Sequence, residues 1–360
     1  MKDKKVRFWK LEAAKLLQEK LFVVFLLLCL CMNIGLCFTD NYARKMVHQL
    51  SAEEFSQSGE KIYDHLSGSS MGTAYYNQRY LHSSKLNQKM KEKYERLQIA
   101  IDRLNVQQAD LDFYAGEVTP VVHKVLFEYQ LKALLIESVV LLSLLCLRTF
   151  SLERQNETQA IIYSSRRGRK IAKDKILANG IVGGFYCIAL FVTSLAIFFS
   201  QWDFSKIWKM NVSSSFNYIN DANDPIYMKP FLTWESMTVK DYFISSLLLI
   251  GLFLIAWWLI ANIFALFIRR DLLGGIGIAA VLVLPYFGLM LFPGLNLTIP
   301  FYLSTLTLST VIYDSHMWFT DLGHYSLVAY QEVRIVTIHL VAAVLVIGFA
   351  NRYFRRKELM

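Results

Sequence analysis

Residues 242–292 read YFISSLLLIGLFLIAWWLIANIFALFIRRDLLGGIGIAAVLVLPYFGLMLF. Two apolar runs, Tyr242–Ile268 and Leu272–Phe292, are separated only by Arg269, Arg270 and Asp271. Each is long enough for a helix to cross a hydrocarbon core of about 30 Å. Neither alternates with the period of two that a barrel strand requires. A three-residue connection leaves two such helices only one arrangement, an antiparallel hairpin. The decisive feature is therefore a pair of membrane spans.

Working outward, the same pattern recurs at 21–38, 131–150, 176–200 and 335–351, giving six spans in a chain of 360 residues that is 54% hydrophobic. Such blocks exclude a soluble enzyme, a disordered chain and an outer-membrane barrel. The expected fold is an all-α polytopic membrane protein. The basic residues orient it. Residues 1–20, 148–175, 269–270 and 352–357 hold 21 of the 38 Lys and Arg residues, while 293–334 holds only Arg334. Both termini are therefore expected to be cytoplasmic, with 352–360 as a cytoplasmic tail. A plasma membrane is the expected location. The basic clusters all flank spans, so the charge of +9 reads as orientation and lipid contact rather than nucleic-acid binding. The five cysteines, Cys29, Cys31, Cys37, Cys146 and Cys187, lie within spans, without zinc-type spacing.

Between the spans lie several distinct segments. Residues 1–20 form an amphipathic interfacial helix, with Val6, Trp9, Ala13, Leu16 and Leu17 on one stripe. Residues 39–130 form a helical extracellular domain. Its clearest element carries Leu86, Met90, Tyr94, Leu97, Ile101 and Leu104 on one face, a helical period. An earlier helix near Ala43–Leu66 is expected to pair with it as a hairpin. Residues 201–241 are an extracellular loop whose Trp202, Trp208 and Trp234 read as an interfacial belt. Residues 293–334 are an extracellular or re-entrant segment, with Ile299–Tyr313 broken by Pro293, Gly294 and Pro300.

Few residues suggest chemistry. The chain has no GxxxxGK[ST] sequence, and no HExxH, GxSxG or paired catalytic carboxylates appear at the ends of its spans, so no catalytic, cofactor or metal residues are assigned. Asp314, His316, Asp321 and His324 form the densest group of potential ligands, at spacings that match no standard metal site. A charged side chain within a span is a functional candidate by default, and Glu137 is the transport-path candidate. Structural roles, a subunit contact or hydration near the surface stay open for it. Asn179, Asn262 and His339 read as interhelical hydrogen bonders.

The most informative connection is 151–175, which contains Glu153, Glu157, Thr158, Ile161, Ile162, Tyr163, Ser164, Ser165, Arg169 and Lys175. A short helix is expected over about 153–163, followed by a turn and a basic run. This phrase resembles one in the permease subunits of the second class of ABC exporters: Glu, a Gly-Thr pair, aliphatics, a small-residue turn, Arg, then Lys. Glu157 stands where that phrase has glycine, and Arg166 where it often has proline. The whole layout is similar to that family, above all to members from Gram-positive bacteria with a large domain between spans one and two.

The resemblance implies a coupling helix formed by Glu153, Glu157, Thr158, Ile161, Ile162, Tyr163 and Arg169. That helix would dock on a separate ATP-binding-cassette ATPase subunit, which would hold ATP and Mg. It also implies a second permease subunit, identical or sister, and a hydrophobic or amphipathic substrate such as an antimicrobial peptide, a drug or a lipid. The chain itself would be a transporter subunit, not an enzyme. The alternative is a membrane sensor or scaffold whose extracellular domain binds a ligand and signals through the 151–175 loop.

Overall fold

A computed structural model describes residues 8–49, 63, 84–109, 118–155, 157–158, 161–162, 171–216, 231–268, 271–295, 297–322 and 326–356. Among these residues the chain is helical, with only two isolated β-bridges, Asn211–Thr238 and Thr233–Thr320. The helices are α1 (Phe8–Gln18), α2 (Lys20–Leu36), α3 (Asn41–Gln49), α4 (Ser84–Val106) and α5 (Val118–His123), then a π-helical segment (Lys124–Leu131). They continue with α6 (Lys132–Gln155), α7 (Ile171–Gln201), α8 (Val212–Ser215), α9 (Val239–Phe267) and α10 (Asp271–Gly294). Last come α11 (Thr298–Thr305), α12 (Leu308–Tyr313), a 3₁₀ turn (Ser315–Met317) and α13 (Gln331–Arg356).

Five helices are long and apolar enough to cross a membrane, and a sixth span results if the bent pair α1 and α2 is taken as one. That pair turns by 57° at Glu19, so α1 leaves the line of α2. The centre of the bundle is the continuous helix 121–153, whose apolar window is 72% buried, against 17% for α10. Helix α9 packs on both α6 and α13, and α7 packs on α1, α2 and α6. Apolar burial drives little association where lipid tails surround the helices, so close packing must hold them together. Gly180 supplies one such approach, since a Cβ there would lie 2.7 Å from the Trp258 ring. Gly274 supplies another, where a Cβ would meet Leu147 at 2.6 Å.

Helix starts and stops follow local chemistry. Thr238 and Asp241 form a reciprocal capping box at the head of α9, which satisfies two otherwise orphaned N–H groups. Ile268 is extended, at ψ 115°, and ends the helix. The segment expected to be re-entrant is two short helices, α11 and α12, broken at Leu306–Thr307, and both pack on α10.

The end of the bundle that carries α4 is capped. The expected face of α4 is buried: Met90, Tyr94, Leu97, Ile101 and Leu104 are each under 5% exposed. Tyr63, from the stretch expected to pair with α4, packs on this face, and so do residues from much later in the chain. Leu232, Trp234, Leu289, Phe301, Tyr302 and Ala329 pack there together with Tyr63, so the loops between later spans supply most of the partner surface. Of the earlier helix, α3 lies within the described residues, whereas 50–62 and 64–66 fall outside them.

The tryptophans depart from a belt as well. Trp202 is 1% exposed, stacks on Phe198 and donates to the Cys37 carbonyl at 3.0 Å. Trp234 is buried in the cap beneath Arg96. Their indole rings fill the protein interior because the loops fold back over the bundle. In the same cap the Ser205 hydroxyl and N–H donate to Asp203 and hold its carboxyl below the usual carboxylate range. Burial pushes the Tyr330 phenol up.

Candidate functional site

Two polar constellations stand out, one at the end of the bundle holding α1 and the 151–175 connection, the other inside the bundle. The first begins where α6 stops. The Thr158 N–H bonds to the Glu153 carbonyl at 3.0 Å, across Glu157 at φ 57°. A six-to-one bond over a left-handed residue is the Schellman helix stop, a place that glycine normally fills. Glu157 therefore occupies a glycine conformation without being glycine. The Thr158 carbonyl then accepts from the Ile162 N–H at 3.1 Å, and Ile161 and Ile162 are helical. The single helix expected over 153–163 is thus two pieces, because Glu157 reverses the backbone between them. Tyr163, Ser164, Ser165, Arg166 and Arg169 lie outside the described residues.

Glu153 faces inward, contrary to a role on the loop surface. Its carboxylate lies 2.9 Å from Lys175 Nζ, which is 3.3 Å from Glu12 on α1 and donates to the Thr149 carbonyl at 2.7 Å. The Lys175 side chain is 1% exposed. Lys15 joins Glu12 at 2.7 Å, so two carboxylates face two ammonium groups. Arg148 reaches Glu19 at 3.2 Å and also bonds Gln155. Together these contacts lock the amphipathic helix to the end of α6 and the start of α7, directly beneath the loop. Lys175 draws Glu12 inside, so this polar residue of α1 is buried with Ala13 and Leu16 of the apolar stripe. Ile161 is the outward residue, 71% exposed, and Thr158 and Ile162 are half-buried.

The second constellation surrounds Glu137, which is 5% exposed. Asn33 Nδ2 donates to Glu137 Oε2 at 2.6 Å and to the Cys29 carbonyl at 2.8 Å. Gln130 Nε2 donates to Asn33 Oδ1 at 2.7 Å. Gln130 lies in the π-helical segment, whose wider turn shifts side chains out of α-helical register. Glu137 thus takes its hydrogen bond from within its own chain, between α2 and α6. Sequence reasoning passed over Asn33, although it is the lone amide in span 21–38 and could have been flagged on that ground. Gln130 gave no signal, because a π turn is not legible from periodicity.

The remaining candidates separate. Asn179 and Asn262 do bridge helices, at 2.9 Å, with Trp258 donating to Asn179 at 2.7 Å. His339 instead bonds the Ile335 carbonyl of its own helix at 2.8 Å, as its i−4 position allows. Tyr94 donates to Asp321 at 3.4 Å, and the His316 carbonyl accepts from Tyr242 at 2.9 Å. His324 is outside the described residues, among which no group of three His, Cys, Asp or Glu is arranged to hold a metal. No known protein family, curated protein or solved structure matches the chain.

Proposed function

We propose that the chain is the membrane-spanning permease subunit of an ABC exporter, with the 151–175 connection as its contact with a separate ATPase subunit. The observation that carries this reading is the backbone at Glu157. The resembling phrase has glycine there, and this chain adopts a left-handed conformation at that position, one that glycine takes without strain. A left-handed backbone where the resembling phrase has glycine supports the match although the residue here is Glu157.

Two further features support it. Ile161 is an apolar side chain exposed on the connection itself, a place for a partner to cover. The Glu12–Lys175–Glu153 cluster ties that loop to three helices, so a push on the loop is passed into the bundle. In this reading the partner hydrolyses ATP. The permease pairs with an identical or sister subunit and moves a hydrophobic or amphipathic substrate across the plasma membrane.

The test replaces Ile161 by Asp in the full chain. The exposed position leaves folding intact, while burying a charge in the contact with the partner costs several kcal/mol. An ATP-binding-cassette subunit is expected to co-purify from the native membrane with the wild type and with Arg334→Ala. It is expected to be lost from Ile161→Asp. Retention of the same ATPase by all three proteins, or absence of any ATPase from the wild type, refutes the reading and leaves the sensor in its place.

A further inference from the structure

We propose that Glu137 is a protonation site inside the membrane-spanning bundle, holding a proton while α2 and α6 are packed together and releasing it when they part. This does not rest on the permease reading.

The argument begins with what the carboxyl is offered. An ionised carboxylate accepts at both oxygens, with about four lone-pair directions. Among the described residues Glu137 receives one donor, Asn33 Nδ2 on Oε2, while Oε1 is buried without a hydrogen-bond partner. On α2 Cys29 lies close by, its carbonyl accepting from the same Asn33 amide, and Cys37 on α2 with Tyr186 and Cys187 on α7 are buried in the surrounding apolar core. Helix α9 presents the neutral Trp257, which donates to the Val139 carbonyl and to Ser143. On its own helix the nearest cation is Lys132, five residues toward the capped end, with its Nζ on the Tyr313 carbonyl at 2.7 Å. Glu128, on the π-helical segment beyond, adds a further negative charge. A lone charge in such surroundings is costly, and neutralisation is the ordinary way out.

The geometry also selects the ligand. A metal ion at Glu137 would need the oxygen of Asn33 turned toward it. Here the amide is held the other way round. Its nitrogen serves two acceptors, Glu137 and the Cys29 carbonyl, while its oxygen takes the Gln130 N–H. Turning it over would set its single oxygen against the Glu137 and Cys29 oxygens and its N–H group against that of Gln130. A proton on the carboxyl is compatible with every bond as it stands.

The network also links the site to motion. Asn33 and Cys37 belong to the end of the first span, Glu137 to the central helix, and Gln130 to a π turn, a feature common at functional sites. The Cys37 thiol donates to the Asn33 carbonyl at 3.2 Å and faces Gln130 Oε1 at 3.8 Å. Parting α2 from α6 would break the Asn33–Glu137 bond and the Cys37–Gln130 contact together.

The experiment uses the full chain in lipid nanodiscs with dicyclohexylcarbodiimide, a hydrophobic reagent that modifies protonated carboxyls. Adducts are mapped by mass spectrometry across a pH series. An adduct is expected at Glu137 at acid pH, lost at alkaline pH and absent from Glu137→Gln. Alkylation of Cys37 by a small thiol reagent is read in parallel, because Glu137→Gln keeps the size and polarity of the side chain but cannot titrate. Cys37 is expected to become more reactive with rising pH in the wild type beyond the increase seen in Glu137→Gln. No Glu137 adduct at any pH overturns the proposal. So does Cys37 reactivity that follows pH identically in the two proteins.

Discussion

Lys175 illustrates how a single residue can be read in two ways. In the sequence it closes a basic run before a span, where a lysine serves orientation. In the folded chain its ammonium lies between Glu12 and Glu153 with 1% of its side chain exposed. A buried ionic cluster adds little net stability, but removing one member strands the others, at about 3–5 kcal/mol. Lys175→Met is therefore expected to lower the thermal midpoint sharply. The triple change Glu12→Gln, Glu153→Gln and Lys175→Met should recover most of the loss, as followed by the melting of the purified protein in detergent. If the triple variant is no more stable than Lys175→Met, uncompensated charge is not the cause.

At the scale of the element, the stop of α6 has the clearest sequence–structure tension. The Schellman bond from Thr158 to Glu153 requires a left-handed residue, and Glu157 takes that role at φ 57°. A side chain there is strained by roughly 1–2 kcal/mol, part of which the greater chain entropy of glycine offsets. Glu157→Gly is expected to stabilise the protein by about 1 kcal/mol, and Glu157→Val to destabilise it, measured by the same melting. A fall on substitution by glycine would show that the glutamate side chain does more than terminate a helix. The helix α4 makes the complementary point. Its apolar face was legible from the spacing of Met90, Leu97, Ile101 and Leu104, yet besides Tyr63 most of its partners come from residues 232–329, distances along the chain that no local pattern encodes.

For the whole molecule, charge sets the expected orientation. The end that carries α1 and the 151–175 connection is the basic one, and the capped end is poor in Lys and Arg outside α4. The expected topology therefore places α4 outside the cell and the 151–175 connection inside. With the native cysteines replaced, Asp102→Cys on α4 should react with an impermeant thiol reagent on intact cells, and Lys173→Cys at the start of α7 should not. Both positions are exposed. Labelling of Lys173→Cys alone would invert the whole arrangement.

The sequence by itself determined the helical membrane class, the places of the long apolar helices and the inward face of α4. Each depends on composition or on a period of 3.6 residues within one segment, and such local properties survive whatever the rest of the chain does. It also marked Glu137 and the 153–162 stretch as unusual, since charge in a span and apolar side chains in a polar loop are visible one residue at a time. Tertiary structure alone decided their partners. Asn33 meets Glu137 from 104 residues away, Glu12 meets Lys175 across the bent first helix pair, and Trp234 is covered by loops instead of lipid. These pairings depend on which helix lies beside which, and in a bundle of similar apolar helices that choice is made by a few glycines, amides and buried charges acting together.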